Sequence, residues 1–184
     1  MAILKLDTNF EEAKVFVPDV YEDDRGFFKE TFQIARYRAL GLTDTFVQDS
    51  VSFSSRNVLR GLHYDFKMSK FVQVLRGRIW DVIVDIRHGS PTYLRHQGFI
   101  LSEHNHKQLY IPCGFAHGFV ALTDDVVFNY KHGSYYDPTS EGAIRWDDPT
   151  LAVAWPLAAA PHVSAKDRAA PLFADATIPE WTQP

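Results

Sequence analysis

From Phe46 to His132 the chain is a succession of short apolar runs, each closed by a turn about ten residues after the last. The runs read VQDSVSFS, VLRGLHY, KFVQVLRG, RIWDVIVDI, YLRHQGFIL, KQLYIP, HGFVALT and VVFNYKH. Parallel strands need crossovers, usually helices of ten or more residues, and no such helical pattern separates these runs. The strands therefore pair antiparallel. The clearest period of two runs from Ile79 to Ile86, with Ile79, Asp81, Ile83 and Asp85 set against Trp80, Val82, Val84 and Ile86. Arg87-His88-Gly89-Ser90-Pro91 ends it. The expected fold is all-β, an antiparallel sandwich or jelly-roll barrel with a core at about residues 45–135.

The flanking segments are shorter and more broken. Val15-Phe16-Val17 is a strand-like run closed by Pro18-Asp19, and Glu22-Asp23-Asp24-Arg25-Gly26 is a polar turn before the run Phe27 to Phe32. A short helix is expected from Ile34 to Leu40, stopped by Gly41. After Pro138 come a turn at Arg145 to Pro149 and an alanine-rich stretch from Ala152 to Ala160. Ser164 with Asp167 three residues on is a loose capping box, which predicts a short terminal helix. The N-terminal strands and these short helices should pack around the barrel.

At 184 residues and 46% apolar content, the chain suits one compact domain spanning 1–184. The single cysteine, Cys113, excludes an intrachain disulfide and a cysteine-based metal cluster. No run of eighteen apolar residues is present, and Met1 to Lys5 is too short and too soon interrupted by Asp7, Glu11 and Glu12 for a signal peptide. A soluble, cytoplasmic protein without membrane association is expected. A formal charge of −4 argues against a nucleic-acid-binding surface, so an anionic ligand would be held by arginines and lysines gathered in a pocket.

The chemistry concentrates in NVLRGLHYDFKMSK, residues Asn57 to Lys70, where His63 lies between Arg60 and Lys70. Pro112-Cys113-Gly114-Phe115-Ala116-His117 resembles the second cupin motif, in which a turn delivers a histidine into a barrel. A cupin metal needs three or four converging ligands. The first motif would supply a His-x-His pair, yet His63 is followed by Tyr64 and Asp65, and His104-x-His106 sits in a polar break that reads as solvated. A cupin-like barrel without a catalytic metal is expected.

The blocks DDRGFFKETF, FVQDSVSFSSRNVLRGLHY, VDIRHGSPTY, LYIPCGFAHGFVAL, YKHGSYYDP and SAKDRAAPL together resemble the dTDP-4-dehydrorhamnose 3,5-epimerase family over residues 15 to 173. The resemblance implies inversion of C3 and C5 of dTDP-4-dehydro-6-deoxy-D-glucose, with no cofactor. It implies His63 as the base, Asp167 as its carboxylate partner, Tyr130 as the acid and Lys70 beside the C4 oxygen. For substrate binding it implies Arg60, Arg25 and Lys166 at the pyrophosphate, with Gln48, Ser50, Glu30, His117 and Glu141 as further contacts. Tyr135-Tyr136 and Phe27-Phe28 are candidates for stacking on thymine. Because the Arg-Gly-Phe-Phe stretch can come from a neighbouring subunit in this family, a homodimer is implied.

Three departures bear on substrate scope. Where the family commonly reads Gln-Asp-Asn-His, this chain has Gln48-Asp49-Ser50-Val51, and the connection from Tyr64 to Ser69 is short. Asn129 and His132 also flank Tyr130 with polar groups. A mono-epimerase acting at C3 or C5 alone, or an epimerase of another nucleotide-linked 4-keto sugar, is the alternative within the class. A ketoisomerase shares the barrel but fits the LRGLHY, GFAHGF and SAKD blocks less well. A non-catalytic binding module would have lost one of His63, Tyr130, Lys70 or Asp167, and all four are present.

Overall fold

The computed structural model describes residues 1–181. Fourteen strands account for most of the regular structure among them: β1 Ile3–Asp7, β2 Lys14–Pro18, β3 Tyr21–Asp23, β4 Gly26–Phe28, β5 Gln48–Ser54, β6 Val58–Asp65 and β7 Lys70–Arg76. The rest are β8 Arg78–Asp85, β9 His96–Ser102, β10 Gln108–Ile111, β11 Phe115–Ala121, β12 Val126–His132, β13 Glu141–Ala143 and β14 His162–Val163. Helices are confined to α1 Ile34–Ala39, α2 Ala165–Arg168 and one 3-10 turn at Phe173–Asp175.

Two sheets face each other. The first runs β1-β2-β10-β7-β12-β5; the second runs β13-β6-β11-β8-β9, with β14 also paired to β6. Every pairing is antiparallel except β14 with β6. This is the expected all-β, cupin-like jelly roll with few peripheral helices. Between the sheets lies a core that includes Phe10, Val72, Val74, Ile79, Ile83, Leu101, Phe115, Phe119 and Phe128.

The peripheral segments cover the outer faces. On the second sheet, Leu62, Tyr64, Val82, Val84 and Ile86 pack under Ile144 and Leu151, with Trp155, Phe173 and Ile178 at the margin. Strand β8 is thus buried on both faces, which explains why it reads as a nearly continuous apolar run. Asp81 and Asp85 are fully buried despite their charge. On the first sheet, Phe16 and Phe71 are covered by Tyr37 and Leu42. Helix α1 ends as its sequence suggested: Gly41 takes φ +92°, its N–H bonds the Arg38 carbonyl, and the Leu42 N–H bonds that of Tyr37. That pairing is the Schellman arrangement, which satisfies carbonyls the last turn leaves free.

Some boundaries differ from expectation. Strand β9 begins at His96 because Ser90 to Arg95 form turns closed by backbone bonds and by Ser90 and Thr92 on Asp85. The run Phe27 to Phe32 is paired only as far as Phe28, in the separate hairpin β3-β4. Strand β1 adds to the expected N-terminal strands. Its outward Leu4 is exposed and the strand is held by pairing with β2.

A close backbone approach lies within β6, at Gly61. Gly61 has φ +120°, and a Cβ there would stand 2.6 Å from the Gly118 Cα and 2.7 Å from the His117 carbonyl oxygen. The β6-β11 register shifts at this point, between His117 and Phe119. Gly61→Ala should therefore cost about 2 kcal/mol or more in urea unfolding, from backbone strain plus overpacking. Gly89→Ala, at φ +85° with nothing near its Cβ, should cost visibly less. Equal losses would show that the Gly61–Gly118 contact is not what demands glycine.

Candidate active site

One end of the space between the sheets opens into a cavity of about 470 Å³. Strand β6 turns His63 into it and β11 turns in His117, the direct cross-strand partner of His63. From the facing sheet come Lys70 of β7, Tyr130 and His132 of β12, and Gln48, Ser50 and Ser52 of β5. Arg60, Phe119, Tyr136 and Glu141 complete the wall with Val51 and Gly118. Alternation along the strands accounts for this gathering: Val126 and Phe128 point to the core, so Tyr130 and His132 follow on the same face two and four residues later.

The most directed contact joins His63 to the C-terminal tail. The His63 Nε2 stands 2.6 Å from Asp167 Oδ1, leaving Nδ1 as the ring nitrogen free to face the cavity. The imidazole is 26% exposed and the carboxylate 4%, so only the ring is open to a ligand. Helix α2 presents the carboxylate: the Ser164 hydroxyl accepts from the Asp167 N–H at 3.0 Å, the N-cap its sequence predicted. Burial by itself would raise the Asp167 carboxyl. The hydrogen bond and charge of His63, with the Gly61 N–H and Ser164, together hold it below the usual carboxylate range.

A second imidazole–carboxylate pair lies beside the first. His117 Nε2 is 2.8 Å from Oδ2 of the fully buried Asp81, whose Oδ1 has no hydrogen-bond partner among the described residues. Across the cavity the Tyr130 hydroxyl is 3.1 Å from Ser52 Oγ. Burial raises the Tyr130 phenol above its ordinary value, against the lowering effects of Ser52 and Arg60. It keeps its proton over the whole neutral range.

Burial pulls the Lys70 ammonium down, partly offset by the carboxylates of Glu141, Asp65 and Asp81. Its cross-strand partner His132 is also lowered, by burial and then by the charge of Lys70. Arg60 is anchored on β5 through Ser54 Oγ at 3.2 Å and the Phe53 carbonyl at 3.0 Å. Among the described residues, no group of three or more His, Cys, Asp or Glu side chains converges as metal ligands do.

The profile of the dTDP-4-dehydrorhamnose 3,5-epimerase family matches residues 7–175. The chain belongs to that family. A dTDP-4-dehydrorhamnose 3,5-epimerase of Salmonella typhimurium is 43% identical over 182 residues, covering 97% of this chain and 100% of its own. One from Pseudomonas aeruginosa is 47% identical over 165 residues, covering 88% and 91%. Among solved structures, a dTDP-6-deoxy-D-glucose-3,5-epimerase of Legionella pneumophila in complex with dTDP-4-keto-L-rhamnose superposes with a TM-score of 0.94 at 45% identity, covering 99% of this chain and all of that one. A 3'-monoepimerase of Streptomyces bikiniensis in complex with dTDP-quinovose reaches a TM-score of 0.86 at 32% identity, covering 91% and 86%. This epimerase is therefore an isomerase acting on nucleotide sugars, and the cavity is its candidate active site.

Of the residues the sequence put forward, His63, Lys70, Tyr130, Gln48, Ser50, Arg60, His117 and Glu141 line the cavity, and Asp167 supports it from behind. Lys166 lies at the rim, 2.6 Å from Glu141. Arg25, Glu30 and Tyr135 are not brought there. Arg25 is on the exposed β3-β4 hairpin, paired with Asp23; Glu30 holds Arg36 at 3.0 Å; Tyr135 is 74% exposed. His106 is less solvated than its polar setting implied, lying 3.2 Å from Lys29 Nζ. Ser52 and Asp81 were missed as site residues. Both follow from period two, Ser52 with Gln48 and Ser50 and Asp81 with Ile79 and Ile83.

The depressed carboxyl of Asp167 gives a pH test. Its stabilisation is complete above about pH 4, the unfolded carboxylate value, and is lost as pH falls through the lower folded value. Wild type should exceed Asp167→Asn by about 1–3 kcal/mol near neutrality, with the gap narrowing below about pH 4. Urea midpoints measured from pH 7 down to 3 check this; a gap independent of pH would deny the carboxylate that role.

Proposed function

We propose that this epimerase inverts both C3 and C5 of dTDP-4-dehydro-6-deoxy-D-glucose, giving dTDP-4-dehydro-L-rhamnose. The observation that carries the reading is that His63 and Tyr130 belong to opposite sheets and face one cavity, with Lys70 beside them. A C–H next to a ketone is removed only if the resulting enolate is stabilised, and inversion needs the proton returned to the other face. In this reading Nδ1 of His63 takes the proton while Asp167 steadies the imidazolium. The Lys70 ammonium meets the charge that grows on the C4 oxygen. Tyr130 then donates its proton from the far wall. No electron is gained or lost overall, so the chemistry calls for no redox cofactor.

The complex of the Legionella relative with dTDP-4-keto-L-rhamnose supports the choice of sugar and nucleotide. Arg60, Lys166 and Glu141 line or border the route by which a diphosphate would enter, and Tyr136 offers an exposed ring for the base. Arg25 with Phe27 and Phe28 stands on an exposed hairpin that does not line the cavity of its own chain. We infer that the hairpin serves a second copy in a homodimer, so that sedimentation should give twice the 21.0 kDa monomer mass. A monomer at micromolar concentration would contradict it.

Proton NMR of the substrate in deuterated water tests the reaction. Wild type should exchange hydrogen at both C3 and C5 and yield the L-sugar. His63→Ala should slow exchange at both carbons by about a hundred- to ten-thousandfold, whereas Tyr130→Phe should exchange without completing inversion. Exchange at one carbon only would make this a mono-epimerase. Undiminished exchange in His63→Ala would remove it as the base.

A further inference from the structure

Strand β5 is the edge of the first sheet, and its alternation sends two sets of side chains in opposite directions. Val51 and Phe53 are largely exposed, while Ser50, Ser52 and Ser54 are half-buried or buried on the other face. Each of the three hydroxyls has a different neighbour. Ser50 Oγ meets Gln48 Nε2 at 3.5 Å, Ser54 Oγ accepts from Arg60 Nε at 3.2 Å, and Ser52 Oγ lies 3.1 Å from the hydroxyl of Tyr130.

We propose that Ser52 is the positioning residue for Tyr130: its hydroxyl aims the phenol proton into the cavity and donates a hydrogen bond to the phenolate that remains once that proton has gone to the sugar. This rests on the reading of Tyr130 as the acid. Two observations carry it. Among the described residues, Tyr130 is the only hydrogen-bond partner of the Ser52 side chain and Ser52 the only one of the Tyr130 hydroxyl. Two rings flank the phenol, Phe128 edge-on at 4.5 Å between centroids and the His132 ring nearly parallel at 6.0 Å, and the charge of Asp81 acts against its ionisation.

The energetic need is specific to the proton transfer. In the resting state the phenol is neutral and buried, a state that costs little. On donation its O–H bond breaks, a C–H bond forms on the enolate carbon, and a full negative charge is left on an oxygen shielded from water. A buried anion with no donor is among the costlier arrangements in a protein. Ser52 is the donor within reach; the more distant charges of Asp81 and Arg60 act in opposite directions, which leaves the serine as the main local support for the anion. After each inversion the imidazolium of His63 gives its proton to water and water returns one to the phenolate, so that both groups are reset before the next inversion. A strand position suits this task because the hydroxyl is fixed by the sheet rather than by a mobile loop.

The test compares solvent exchange with net inversion, since the first requires abstraction by His63 and the second also requires donation by Tyr130. Ser52→Ala should keep deuterium exchange within about twofold of wild type and slow inversion about ten- to a hundredfold, the loss of one hydrogen bond to a charged group. Ser52→Thr, which keeps the hydroxyl and suits a strand, should restore most of the inversion. Exchange and inversion falling together in Ser52→Ala, or no recovery in Ser52→Thr, would mean that the serine matters only to folding. Full inversion in Ser52→Ala would overturn the proposal outright. Tyr130→Phe run alongside separates the two levels: if it still inverts, the reading of Tyr130 fails, whereas if it does not and Ser52→Ala does, only the role of Ser52 fails.

Discussion

A single hydrogen bond of 2.6 Å, between an imidazole on β6 and a carboxylate 104 residues later on α2, ties the barrel to its tail. The contact does more than dock the tail on β6. It decides which nitrogen of His63 is left for the cavity, and it places a buried negative charge where an imidazolium would form. The carboxylate is itself fixed by the Ser164 cap and the Gly61 N–H, and Gly61 has that position because β6 and β11 approach too closely for a side chain. Backbone packing thus sets the orientation of the imidazole proposed as the base.

The two walls of the cavity differ in character. The second sheet contributes imidazoles backed by buried carboxylates, His63 with Asp167 and His117 with Asp81. The first sheet contributes a phenol held by a serine, an ammonium and a neutral imidazole. Burial works on all of them in the direction that disfavours charge, raising the phenol and lowering the ammonium and His132. An enolate forming between the walls would be the strongest charge in a poorly solvated space, and fixed donors act most strongly in such surroundings.

The strands were legible because their side chains alternate and their turns are marked by glycine and proline. The same alternation predicts that Tyr130 and His132 share the face of Val126 and Phe128, and that Gln48, Ser50, Ser52 and Ser54 share one face of β5. Partnerships across long sequence separation were not legible from the residues. Nothing local in Ser164 to Arg168 distinguishes Asp167 from an ordinary acid at a helix start; only the family resemblance paired it with His63, and the structure shows the contact. The buried acids of β8 are the converse case. Period two gives Asp81 and Asp85 a face but does not reveal that both faces are covered, because the covering segments are the irregular tail and the N-terminal residues. Arg25 and Glu30 lie in neighbouring ion pairs outside the cavity of their own chain, as fits a stretch that the family resemblance assigns to a neighbouring subunit's site.

The central claim is geometric, that a sugar ring lies between His63 and Tyr130 with one on each face. A crystal structure of the wild-type protein with dTDP-6-deoxy-D-glucose, which has a hydroxyl in place of the C4 ketone and cannot form the enolate, tests it most directly. The account predicts C3 or C5 at about 3–3.5 Å from Nδ1 of His63, the Tyr130 hydroxyl on the opposite face, and Lys70 against the C4 oxygen. A sugar bound with both groups on one face, or seated outside this cavity, would contradict it.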